Sequence, residues 1–229
     1  MGVDAMIGTR QAKDRLFDEF ARVAASLASG RRLEILDILA QAPRTVDDIA
    51  QNIDQSVANT SHHLRRLADD GLVASEKHGR HVTYRLASDR VFELWRALQD
   101  VTALHHDALP PAAASYLGNR QEIDLIDWDT LAERLSRGDD VVVIDVRPEP
   151  EYRAGHLDGA INIPPERLDT LPGEIPRGVD VVAYCRGTYC AYADQAIRRL
   201  QAHRRRAFRL DGGYRDRLPP NDRPTDSAM

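Results

Sequence analysis

The chain holds two cysteines, Cys185 and Cys190. They bracket a short loop, Cys185-Arg186-Gly187-Thr188-Tyr189-Cys190. The apolar run Val181-Val182-Ala183-Tyr184 precedes it, and the helical pattern Ala191-Tyr192-Ala193-Asp194-Gln195-Ala196-Ile197 follows. A thiol at a strand end, on a loop that opens a helix, faces converging backbone N–H groups. That setting lowers its pKa and makes the thiolate a usable nucleophile. Any thiol chemistry in this chain must occur at this pair.

The elements that must hold this loop read as a small α/β domain. Val141 to Asp145 and Val181 to Tyr184 are near-continuous apolar runs, the pattern of parallel strands buried on both faces. Ile123 to Ile126 fits an edge strand, and Ala207 to Leu210 a short further strand. Helices are expected at Thr130 to Ser136 and from about Cys190 to Gln201. The alternation predicts a parallel sheet flanked by helices.

Upstream the pattern is mostly helical. Arg15 to Leu27 carries apolar residues at helical spacing. Leu33, Ile35, Leu36, Ile38 and Leu39 form an apolar helix that Pro43 ends. Thr45 opens a short helix, with Asp48 completing a capping box. Ser56 caps the next helix, which runs to about Asp70, and Gly71 serves as its C-cap. Leu72 to Glu76 and His81 to Leu86 form a hairpin about Lys77-His78-Gly79-Arg80. A last helix spans about Arg90 to His106. Leu109-Pro110-Pro111-Ala112-Ala113-Ala114-Ser115 interrupts this pattern and reads as a linker. The expected division is therefore 1–108 as a first domain, 109–121 as linker, 122–217 as a second domain and 218–229 as a disordered tail.

The bulk properties agree. A length of 229 residues suits two domains. Hydrophobic residues at 42% and charged residues at 29% are ordinary for a soluble globular protein. No apolar run reaches the length of a membrane span, and the first residues lack the pattern of a signal peptide. Two close cysteines without such a signal fit a reducing cytoplasm, where they are more often reactive than structural. The net charge of −5 argues weakly against nucleic-acid binding but does not decide it, because DNA contact needs a local basic surface rather than a basic total. Lys13 and Lys77 are the lysines of a chain rich in arginine, so no single arginine marks function by its type.

The predicted helix from Ser56 has two unlike faces. Val57, Ser61, Leu64, Leu67 and Ala68 share one. Asn59, His62 and Arg66 centre the other, flanked by His63 and Arg65. Amide, imidazole and guanidinium groups opposite a core-facing stripe suit a helix lying in the major groove. Ser56 and Thr60, near its start, are placed for phosphate contact. Lys77, Arg80 and Arg85 on the hairpin could reach DNA backbone or minor groove. All of them could equally be solvated residues of a small helical domain.

Arg31-Arg32-Leu33-Glu34-Ile35-Leu36-Asp37-Ile38-Leu39, Thr45-Val46-Asp47-Asp48-Ile49-Ala50, Ser56 to Leu67 with its Ser61-His62-His63-Leu64 core, and Gly71-Leu72-Val73 together resemble the ArsR-type winged helix-turn-helix regulators. The resemblance covers about residues 15 to 105. It implies double-stranded operator DNA as partner and a homodimer formed through the first and last helices of the domain. Leu94, Trp95, Leu98, Val101 and Leu104 give the last helix a broad apolar surface, which packing within its own domain would also explain. Many members sense metals, but the helix before the recognition helix has no cysteine here. His105, His106 and Asp107 are adjacent and point apart on a helix. No metal and no cofactor is expected.

Asp145-Val146-Arg147, Glu151-Tyr152, the string Gly155-His156-Leu157-Asp158-Gly159-Ala160-Ile161-Asn162-Ile163-Pro164, Cys185-Arg186-Gly187 and Gly212-Gly213-Tyr214 resemble the rhodanese domain, in its order, over about residues 122 to 217. The resemblance implies a persulfide on Cys185, formed from a small sulfane-sulfur donor. Arg186 could hold an anionic donor. Asp145, Arg147 and His156 match motif positions, where holding fold and loops is an alternative to chemistry. Cys190 stands where many active rhodaneses carry arginine, and Ala191 stands where a phosphatase loop needs one. Two readings of Cys190 stand. It could resolve the persulfide into a disulfide, or a polysulfide if the Cα atoms lie beyond about 7 Å. It could instead be a small buried residue at a helix start. Three functions follow as expectations. The first is a transcription regulator that senses reactive sulfur or another thiol-modifying signal through Cys185. The second is a sulfurtransferase with an accessory DNA-binding domain, and the third a metalloid-responsive repressor with a passive second half.

Overall fold

The computed structural model describes residues 8–79 and 81–217. Arg80, the expected tail 218–229 and the first seven residues lie outside that range. The chain divides into two compact units, residues 1–96 and 97–229, and it passes from one to the other within a helix.

The first unit has the order α1 (Arg10–Leu27), α2 (Gly30–Gln41), β1 (Arg44–Thr45), α3 (Val46–Asn52), α4 (Val57–Asp69), β2 (Val73–His78), β3 (His81–Leu86) and the start of α5 (Asp89–His105). Local chemistry sets the boundaries. The Thr45 hydroxyl accepts from the Asp48 N–H at 3.2 Å while the Asp48 carboxylate accepts from the Thr45 N–H at 3.3 Å, a complete capping box. The Ser56 hydroxyl caps α4 by accepting from the Asn59 N–H. At the other end of α4, Gly71 has φ +72°. The Gly71 N–H donates to the Ala68 carbonyl and the Leu72 N–H to the Leu67 carbonyl, which closes the helix as a Schellman turn. The strands form an antiparallel sheet in the order β1-β3-β2. Ile35, Leu36, Leu39, Ile49, Leu64 and Leu67 make the buried core beneath α4. This is a winged helix-turn-helix: α2, α3 and α4 followed by the β2–β3 hairpin wing, with α1 preceding them.

The second unit begins within α5 and continues with α6 (Leu109–Leu117), β4 (Leu125–Ile126), α7 (Trp128–Ser136), β5 (Val141–Asp145), α8 (Glu149–Ala154), β6 (Ile161–Asn162), a 3-10 turn at Pro165–Arg167, α9 (Leu171–Glu174), β7 (Asp180–Cys185), α10 (Ala191–Ala202), β8 (Ala207–Gly213) and α11 (Tyr214–Arg217). The sheet is parallel, in the order β4-β8-β7-β5-β6, so β4 is an edge strand as its sequence predicts. Side chains alternate between its faces. Along β7, Val181, Ala183 and Cys185 join the core beneath α9 and α10, whereas Val182 and Tyr184 join the core beneath α7.

Residues 109–117, read from the sequence as linker, are helical. Pro110 and Pro111 occupy the first turn, where a missing N–H costs nothing and a fixed φ suits the helix. The prolines therefore begin a helix as well as ending one.

Candidate functional site: a thiol loop and a recognition helix

The loop 186–190 joins the end of β7 to α10, with Cys190 at the N-cap of that helix. Cys185 and Cys190 are bonded as a disulfide, their Cα atoms 6.3 Å apart, within the span that a direct bridge tolerates. Cys185 is buried at 1% exposure, whereas Cys190 is half-buried. Cys185, the expected nucleophile, is thus covered in the bonded state. Its side chain points from the strand into the α9–α10 core, because strand alternation puts it on the face of Val181 and Ala183.

β8 approaches this loop closely. Cys185 is in register with Gly213 beside an irregularity in the ladder. A Cβ on Gly213 would fall on the Arg186 carbonyl, so only glycine fits there.

Two guanidiniums hold the loop from outside. Arg209 Nη2 donates to the Gly187 carbonyl at 2.8 Å and to the Thr188 carbonyl at 3.3 Å. Arg120 Nη1 donates to the Thr188 carbonyl at 2.8 Å. In a trans peptide the C=O and N–H point in opposite directions. The Thr188 and Tyr189 N–H groups are thus turned away from the arginines, as an anion-stabilising loop requires. The Cys190 N–H is already used, donating to the Gly187 carbonyl at 3.1 Å. Asp194 on α10 holds both arginines. Its Oδ2 accepts from Arg120 Nε at 2.7 Å, and its Oδ1 lies 3.0 Å from Arg209 Nε. Burial, with the Arg120 charge nearby, lowers the pKa of Arg209.

The expected anion-holding role of Arg186 is also corrected. Its guanidinium is turned to Glu151, with Nη2 2.6 Å from Oε1 and Nε 3.0 Å from Oε2. Glu151 is fully buried, and a buried carboxylate needs that partner. Asp145 and Arg147 are likewise structural. Both are fully buried, with Arg147 Nη2 2.6 Å from Asp145 Oδ2 and donating to the Gly155 carbonyl at 2.7 Å. Burial opposes the Arg147 charge, but the bonds to Asp145 outweigh it and raise the pKa. The Arg147 guanidinium also lies 4.5 Å from the centre of the Tyr214 ring. His156 is exposed, stacked on Tyr152 at 3.8 Å, with Nδ1 2.9 Å from the Tyr152 carbonyl oxygen. Tyr184 donates nothing to the loop. Its hydroxyl oxygen accepts from the Leu157 N–H, and burial followed by the Asp145 charge pushes its pKa upward.

On α4 the buried stripe is Thr60, Leu64 and Leu67. Three expectations are overturned here. Thr60 is fully buried, so its hydroxyl cannot reach a phosphate, while Val57, at 44% exposure, and Ala68 are exposed rather than core-facing. Leu64 and Leu67 fix the roll of the helix, and Thr60 falls on their line one turn earlier. Ser56, Asn59, His62 and Arg65 are exposed, as is Lys77 on the wing. His63 is half-buried, and burial followed by the nearby Arg32 charge lowers its pKa. Arg85 donates to the Leu86 carbonyl at 3.1 Å. Arg66 turns back toward α1, donating to Ser26 Oγ at 3.1 Å and pairing with Asp70. Arg22 of α1 binds the same carboxylate at 2.7 Å. This anchor between α1 and α4 was not apparent in the sequence, because it joins residues more than forty positions apart.

Comparison with known proteins matches a segment of each unit separately. The profile of the bacterial regulatory protein, arsR family, matches residues 29–75, and that of the rhodanese-like domain matches residues 127–216. The HTH-type transcriptional regulator Rv0324 of Mycobacterium tuberculosis is 40% identical over 208 residues, 91% of this chain and 91% of its own length. A sulfurtransferase of Allochromatium vinosum is 32% identical over 91 residues, 40% of this chain and 84% of that one. A homodimeric winged helix-turn-helix DNA-binding domain from Mycobacterium bovis, solved by NMR, is 38% identical, with a TM-score of 0.42 over 45% of this chain and 95% of its own. The helix-turn-helix, the Gly-His-Leu string leading into β6 and the near full-length relative converge: this chain belongs to the transcriptional regulators that join an ArsR-type winged helix-turn-helix to a C-terminal rhodanese-like domain.

Proposed function

We propose that this regulator binds operator DNA through α4 and the wing, and that the state of its Cys185–Cys190 pair sets the affinity. One observation carries the reading: the cysteines are bonded to each other at the rim of a rhodanese-like loop, in a chain whose other half is a DNA reader. The chemistry balances without a further oxidant. In the reduced pair, the Cys185 thiolate attacks the outer sulfur of a persulfide donor R–S–SH, giving a Cys185 persulfide and releasing a thiolate, R–S⁻. The Cys190 thiolate then attacks the Cys185 sulfur, closes the disulfide and expels HS⁻. The sulfane sulfur is reduced to sulfide as the two thiols are oxidised. The half-buried Cys190 is the sulfur open to an incoming thiol, which would reset the pair by expelling Cys185 as thiolate.

On DNA, Asn59, His62 and Arg65 supply base or phosphate contacts, with Ser56 and Lys77 reaching the backbone. A homodimer would cover the exposed Leu16, Phe17 and Phe20 of α1 together with Leu94 of α5. A reducing cytoplasm is the compartment in which such a pair would cycle.

The test is mass spectrometry of the reduced protein after a persulfide donor, with DNA binding measured alongside on a duplex selected from a random library by the full-length protein. We expect loss of two thiol protons, sulfide release and a change in affinity of about 5-fold or more. Cys185→Ser is expected to abolish all three. Affinity that ignores the donor while Cys185 and Cys190 react would refute the sensing role. The sulfurtransferase reading, supported by the Allochromatium relative, predicts instead sustained thiocyanate production from thiosulfate and cyanide.

A further inference from the structure

We infer that Arg120 is the positioning residue that carries the state of the cysteine loop to the segment following α5. This rests on the thiol-switch reading above and specifies how the switch is transmitted. Thr188 lies between the two cysteines, and its carbonyl accepts from Arg120 Nη1 at 2.8 Å. Arg120 itself stands three residues after α6. That stretch is fastened to α10 at further points. Arg198 Nη2 donates to the Leu117 and Asn119 carbonyls, each at 2.9 Å, and Gln201 Nε2 donates to the Glu122 carbonyl at 2.7 Å. Among these ties, Arg120 is the one whose acceptor lies inside the disulfide ring.

The two guanidiniums on the loop are not equivalent. The Arg209 side chain is 3% exposed, whereas that of Arg120 is 28% exposed. Releasing Arg209 would strand a charge in the interior, a costly event. Releasing Arg120 passes part of its guanidinium to water. When the bridge opens or lengthens and the Thr188 carbonyl moves, Arg209 remains with Asp194 and Arg120 lets go. Residues 117–122 then lose their tie to the loop, while those to Arg198 and Gln201 of α10 remain. The ordered and released forms of this segment are the two states that a linked DNA reader can sense.

Hydrogen exchange of the full-length protein, with the cysteines oxidised and then reduced, tests this directly. We expect amides of residues 117–122 to exchange about 5-fold faster or more in the reduced protein. In Arg120→Ala the oxidised protein should already exchange at the faster rate, with no further change on reduction. Arg120→Lys keeps a cation beside Asp194, but one ammonium cannot serve Asp194 and Thr188 in the same fork geometry. It too should erase the difference. Equal exchange of the two wild-type states, or a full difference retained in Arg120→Lys, overturns the inference. Because the experiment uses only a reductant, it separates from the sulfur reading: coupling without donor loading would leave Arg120 in place and remove the persulfide.

Discussion

The exposed basic groups of α4 and the buried arginines of the rhodanese-like unit use similar side chains in opposite ways. His62 and Arg65 stand in solvent at the outer face of a helix whose inner face is held by Leu64 and Leu67. Arg147, Arg186 and Arg209 are turned inward onto Asp145, Glu151 and Asp194, each a fully buried carboxylate. A phosphate can recruit the first set without displacing an ion pair, for among the described residues Arg65 donates only to the Ser61 carbonyl, at 3.2 Å, whereas a ligand would have to displace a buried ion pair to recruit the second. In an arginine-rich chain, the partner of a guanidinium therefore says more about its role than its place in a motif.

Substitutions can break this contrast. Arg147→Ala leaves Asp145 charged and unpaired in the core, and we expect a loss of about 3–5 kcal/mol in the stability of the second unit. Urea unfolding of the full chain, followed at the tyrosines, should show it, and an unchanged midpoint would place Arg147 with the solvent-facing set. Next in size, Arg65→Ala is expected to weaken DNA binding by about 1–3 kcal/mol, roughly 5- to 150-fold, without altering unfolding. Arg66→Ala should do the reverse, disturbing the anchor on Ser26 and Asp70 more than it disturbs DNA contact. Titrations of both variants against one duplex would settle the order, and equal losses would dissolve the distinction.

The smallest effect concerns His63. Its folded pKa lies below the ordinary 6.5, so the unfolded chain binds its proton more readily. The stabilising contribution is complete above pH 6.5 and is lost as pH falls from there through the depressed folded value. His63→Gln should flatten the acid side of the stability profile over that interval. An unchanged slope would assign the pH dependence elsewhere.

Much of the architecture could be read from the chain because each signal was local. Capping residues Thr45, Ser56 and Gly71, and the apolar runs at 141–145 and 181–184, announce their elements within a few positions. Residues whose roles depend on distant partners could not be read this way. Arg186 looks like an anion holder until Glu151, thirty-five positions away, is folded against it. Thr60 looks like a phosphate ligand until Leu64 and Leu67 fix the roll of α4. Cys185 reads as a strand-end thiol, but only the alternation along β7 shows that it faces the core. Arg120 carries no motif at all, and its importance lies wholly in the Thr188 carbonyl and Asp194.

The Tyr184 phenol, held against the Leu157 amide in a dry interior, has an optical consequence. In an alkaline titration its ultraviolet phenolate band should stay silent while solvent-facing tyrosines ionise. It should then emerge with the collapse of the sheet around it, giving the rhodanese-like unit a built-in indicator of its own integrity.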